Sequence, residues 1–210
     1  MIEAAMTNDT STPDSRPDSA VARRAMIDSQ LRTSGVNEEF VLARMLAVPR
    51  EAFLPPEKSP LAYIDRAISL GAAGHLAAPL FYGKLLLEAA PVRGERVLVV
   101  EGGTAYLTEL VRPLVGEVAT LPAADAAAGK SADGGPFDLI LIDGAVEQIP
   151  DALAGQLADD GRIVAGVVLR QVTRLATGRK SDGRVALRAI EDLGIPVLTA
   201  FDKPKGWSFA

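Results

Sequence analysis

The residues best placed to do chemistry lie in VLVVEGGTAYL, Val97 to Leu107. An apolar run meets a small-residue turn, Glu101, Gly102, Gly103 and Thr104, and a helical pattern follows. In a parallel α/β sheet this layout brings backbone N–H groups up to a nucleoside-type cofactor at a strand's carboxyl end. Glu101 at the entry and Ala105 further on stand where glycine would let a ligand approach. A plain strand-to-helix turn is the other reading of EGGT. Asp143 closes a second apolar run, FDLILID, and is expected to project at a carboxyl strand edge. Ligand binding and loop hydrogen bonding are both open to it.

The elements that must hold these residues can be read from spacing and punctuation. Residues 1–21 are rich in Ser, Thr, Asp and Pro and are expected to be a disordered tail, with order from Ala22. MIDSQL begins a first helix that Gly35 ends. Asn37 is expected to cap a second helix, NEEFVLARMLAV, which Pro49 stops. Residues 50–75 read as irregular, and Pro79 opens a third helix, PLFYGKLLLEAA. RVLVV, EVATL, FDLILID and GRIVAGVVL then read as strands. A helix over 104–115 should be kinked or cut short by Pro113, and another is expected around 150–157. VTRLATGRK and GRVALRAI alternate about SDG, the pattern of an antiparallel hairpin. The result is one α/β domain over 22–210: a helical part over 22–90, then a doubly wound sheet over 91–210 with an antiparallel edge. Tyr106 is read as core, Trp207 and Phe209 as packing over the sheet.

Composition narrows the chemistry. Among 210 residues, 48% are hydrophobic and 23% charged, enough for one buried core. A net charge of −5 gives no basic excess for nucleic acid. The basic group Arg170 to Lys180 reads as a solvated strand face. No run is apolar enough to span a membrane, and the first residues lack a signal-peptide pattern. Zero cysteines exclude disulfides and thiol catalysis and fit a cytoplasmic setting. With His75 the only histidine, histidine metal clusters and a Ser-His-Asp triad of the usual form are excluded.

Several segments together resemble one family. SQLRTSGV, VLARMLAVPREAFLP (Val41 to Pro55) and AYIDRAISLG (Ala62 to Gly71) carry the likeness. RVLVV with its turn and FDLILIDGAVEQIPDALAGQLADDGRIV (Phe137 to Val164) continue it. From Met26 to Val168 the chain resembles the protein-L-isoaspartate O-methyltransferase family, in particular a divergent bacterial branch. The resemblance implies a class I methyltransferase-like, Rossmann-like sheet with S-adenosylmethionine as cofactor. The implied substrate is the free α-carboxylate of an isoaspartyl residue in damaged protein. Such a carboxylate is already ionised, so the reaction would need positioning and electrostatics but no general base.

Four places depart from the family's pattern. An acid late in the first strand followed by G-x-G-x-G becomes Val99, then Glu101, Gly102, Gly103, Thr104 and Ala105. The acid that would hold the ribose hydroxyls is replaced after EVATL by Pro122, with Asp125 the nearest carboxylate. Only fifteen residues separate Leu121 from Phe137, so the family's next helix and third strand cannot fit. GHLAAP, Gly74 to Pro79, puts Ala77 at the position of a substrate-site serine and His75 at a threonine. His75 reads either as a surrogate polar group or as structural. Three functions follow: a carboxyl methyltransferase; a catalytically inactive relative kept as a binding or dimerisation module; or a pocket for another small ligand at Gly102 to Thr104. The missing strand also leaves 117–121 as a hydrophobic edge, to be covered by the linker or paired in a homodimer.

Overall fold

The computed structural model describes residues 16–181 and 183–203. The expected placement of Trp207 and Phe209 and most of the expected tail lie outside them. Order begins earlier than Ala22, since α1 (Arg16–Met26) is helical from Arg16. It is tied down by Arg23, which bonds the Tyr63 hydroxyl at 2.7 Å, the Leu46 carbonyl at 2.9 Å and the Glu51 carboxylate at 3.0 Å. A π turn and a 3-10 turn extend α1 to Gly35, whose φ of 82° ends it in the left-handed region. The next helix, α2 (Glu39–Ala47), starts at Glu38 without a side-chain cap. Asn37 does not cap it, and its own N–H instead bonds the Glu38 carboxylate at 3.2 Å.

Short 3-10 turns carry the chain from Arg50 to β1 (Ile68–Ser69), which pairs antiparallel with β2 (His75–Leu76). Pro79 then opens α3 (Pro79–Ala89), buried along most of its length.

The main sheet holds seven strands. β3 (Arg96–Glu101) pairs in parallel with β4 (Glu117–Pro122) on one side and β5 (Phe137–Val146) on the other. β5 pairs in parallel with β6 (Leu157–Leu169). β7 (Val172–Ser181) returns antiparallel, and β8 (Arg184–Val185) and β9 (Arg188–Asp192) both pair with it. Period-two alternation divides β3 between two cores. Val97 and Val99 join α2, α3 and α4 (Tyr106–Val111) on one face. Leu98 and Val100 join α5 (Ala123–Ala127) and α6 (Asp151–Gly155) on the other. The helix over 104–115 is cut to α4, with a 3-10 turn carrying Pro113.

Between β4 and β5 the chain forms only α5 and turns, so the third strand of the family pattern is missing. β4 therefore ends the sheet. The Glu117 N–H donates to Glu95 O at 3.1 Å, so Glu117, Ala119 and Leu121 bond inward to β3. Val118 and Thr120 turn their N–H and C=O groups outward.

Candidate functional site

Gly102 to Ala105 connect the end of β3 to α4. Gly103 has φ 146°, and an added Cβ would lie 2.5 Å from Ala73 O and His75 N. The His75 N–H donates to Gly102 O at 3.1 Å. Gly103 thus admits the chain's own 73–75 backbone, which rests directly on the turn, while at Gly102 an added Cβ would lie 2.0 Å from the Asp143 carbonyl oxygen. Ala105 sits at φ −82°, where its methyl is tolerated. Glu101 accepts a 3.0 Å hydrogen bond from the buried Thr108 hydroxyl of α4.

Over the turn opens a cleft of about 650 Å³, walled by residues 71–75, 101–105, 122–124 and 197–200. Its ionisable lining groups are His75 and Glu101. At the end of β4 the wall is Pro122, Ala123 and Ala124, while Asp125 lies outside it in an ion pair with Lys130 at 2.9 Å. A second cleft, also about 650 Å³, shares His75 with the first and adds Asp65, Arg66, Ser69, Thr173 and 193–196.

Asp143 does not project at a strand end. β5 continues past it to Val146, and its side chain is buried beneath the turn, with the residue 3% exposed. Burial raises its pKa to about 7, opposed by the Tyr82 hydroxyl bond at 3.2 Å and by Arg50. Its Oδ1 has no hydrogen-bond partner.

Arg50 is the residue that sequence reasoning missed. Fully buried, it donates to Ala62 O and Ala77 O, each at 2.7 Å. Its guanidinium lies 5.5 Å from the centre of the Tyr82 ring and 5.0 Å from that of Tyr106. The only sequence signal was an arginine after proline between two apolar segments. Ala77 is held in this network as well, its N–H donating to the Tyr82 hydroxyl at 3.1 Å. It is buried and lines neither cleft. His75 and Glu101 to Thr104 are brought together at the cleft; Asp143 lies below it and Ala77 behind it. Among the described residues no cluster of metal-ligating side chains occurs, and no helix is long and apolar enough to cross a membrane.

A parallel sheet with helices on both faces, an antiparallel C-terminal side and a cleft at the carboxyl ends of its first two strands define a class I methyltransferase fold. Several solved structures share it. A protein-L-isoaspartate O-methyltransferase matches with a TM-score of 0.66 and 19% identity, over 84% of this chain and 65% of that one. The chain thus spans just under two thirds of that protein. A Plasmodium falciparum structure, titled a putative protein-L-isoaspartate O-methyltransferase in complex with S-adenosyl-L-homocysteine, matches with a TM-score of 0.65 and 16% identity, over 86% and 97%. The protein-L-isoaspartate(D-aspartate) O-methyltransferase family model matches residues 22–128 and 117–198. A protein-L-isoaspartate O-methyltransferase of Koribacter versatilis is 31% identical, over 82% of this chain and 88% of its own. One from Methylorubrum extorquens is 33% identical, over 78% and 84%. The chain belongs to the protein-L-isoaspartate O-methyltransferase family.

Proposed function

We propose that this chain binds S-adenosylmethionine in the cleft over Glu101 to Ala105 and methylates protein carboxylates, nominally the isoaspartyl α-carboxylate. The observation that carries this reading is the cleft of about 650 Å³ at the ends of β3 and β4, in a chain of this family. Glu101 suits the ammonium and sulfonium of the cofactor's methionine end, whose carboxylate would fall to backbone N–H groups of the turn. Pro122 to Ala124 offer the adenosine end an apolar wall without a carboxylate. When bound, the cofactor supplies a methyl group carried on a sulfonium. The chain's residues contribute positioning and exclusion of water. His75, bordering both clefts, would stand between cofactor and acceptor.

A second reading is a catalytically inactive scaffold, favoured by the missing ribose acid at Pro122 to Ala124 and by the burial of Ala77. Calorimetric titration separates the two. Binding of S-adenosylmethionine tighter than about 10 µM supports the enzyme, and methyl transfer to an isoaspartyl peptide then tests the acceptor. No heat at millimolar ligand supports the scaffold.

A cytoplasmic setting, from the cysteine-free composition, belongs to the same reading. So does a homodimer through β4. Antiparallel pairing about Ala119 would set Val118 against Thr120 of a second copy and bond their outward groups. Pro122, without an N–H, would end the ladder.

A further inference from the structure

We propose that Glu101 makes this cleft selective for net cationic ligands, so that the sulfonium S-adenosylmethionine binds more tightly than its neutral thioether product. The inference rests on the reading that the cleft holds this cofactor. Three observations carry it. No lysine or arginine lines the cleft, so His75 and Glu101 are its ionisable groups. The Glu101 carboxylate is held by the Thr108 hydroxyl at 3.0 Å and has no ion-pair partner among the described residues. Beneath the same turn lies a second carboxyl group, Asp143, which holds its proton up to about pH 7 and so adds negative charge near Glu101 only as pH rises past that value. The neighbouring cation, Arg50, acts on Asp143 from behind Tyr82 and does not line the cleft.

The two ligands differ by one methyl and one positive charge. Their ammonium and carboxylate groups are the same, so the difference in affinity reports the field at the sulfur. In a partly buried cleft one carboxylate without an ion pair would be enough for about a tenfold preference if it lay within about 10 Å of the sulfur.

The test is calorimetric titration of the full chain with S-adenosylmethionine and with S-adenosylhomocysteine, for the wild type and for Glu101→Gln, at low and high salt. The expected result is a wild-type preference for the sulfonium of about tenfold or more. It should shrink toward unity in Glu101→Gln, mainly through weaker sulfonium binding. In the wild type it should also shrink as salt is raised, a readout that needs no variant to fold. Equal wild-type affinities, tighter thioether binding, or a preference untouched by salt and by Glu101→Gln would each overturn the inference while leaving cofactor binding intact. Absence of binding by both ligands would overturn the cofactor reading and this inference together.

Discussion

The Tyr82 hydroxyl donates to the Asp143 carboxylate at 3.2 Å, joining α3 to β5 beneath the candidate cleft. Tyr82 also accepts from the Ala77 N–H and lies under the Arg50 guanidinium. One phenol therefore links the segment before α3, the floor of the sheet and a buried cation.

Asp143 should make the protein less stable as pH rises. Its folded pKa is raised to about 7, so between about pH 4 and 7 the folded state holds a proton that the unfolded state has released. The stability this provides is full below about pH 4 and lost as pH climbs to 7, at most about 4 kcal/mol. Asp143→Asn should flatten that slope in thermal melts taken from pH 4 to 8. An unchanged difference between variant and wild type across this range would refute the assignment.

Arg50→Met should destabilise the fold by about 3 kcal/mol. It keeps most of the volume but leaves the carbonyls of Ala62 and Ala77 buried without their donor. Urea denaturation measures the loss, and a change below about 0.5 kcal/mol would show that the carbonyls find other partners.

Gly103→Ala should cost about 2 kcal/mol or more, since its φ of 146° and its contact with the 73–75 backbone both exclude a methyl. Ala105→Gly, at a φ of −82°, should change stability by less than about 1 kcal/mol. The pair, compared by thermal melting, separates backbone packing at the turn from a general intolerance of change there.

Thr120→Pro should convert a homodimer to a monomer without unfolding it. The Thr120 N–H faces outward from β4, so in the proposed homodimer proline would remove a bond between copies and none within the chain. Light scattering on an eluting peak gives the mass of each form. A monomeric wild type would refute pairing through β4.

Much of the architecture was legible in the residues themselves. Val97 to Val100 alternate between two buried faces, so they had to be an interior strand with cover on both sides. Gly35 had to end a helix, because few residues besides glycine tolerate its φ of 82°. Fifteen residues between Leu121 and Phe137 could not hold a helix and a strand, and the sheet accordingly ends at β4. These are local constraints of period, backbone freedom and chain length.

What only the tertiary structure decided concerns contacts between distant segments. Arg50 and Asp143 look like ordinary charged residues in the chain, yet burial makes one a clamp on two carbonyls and raises the pKa of the other. Gly102 and Gly103 suggest a ligand cradle by type, but the space at Gly103 admits the backbone of residues 73–75 and that at Gly102 the carbonyl of Asp143. Ala77 carries the place of a substrate residue in order and spacing, and packing turns it away from both clefts. Periodicity records which face of an element is apolar. Desolvation and close approach depend on what that face meets, and that partner is set by the fold as a whole.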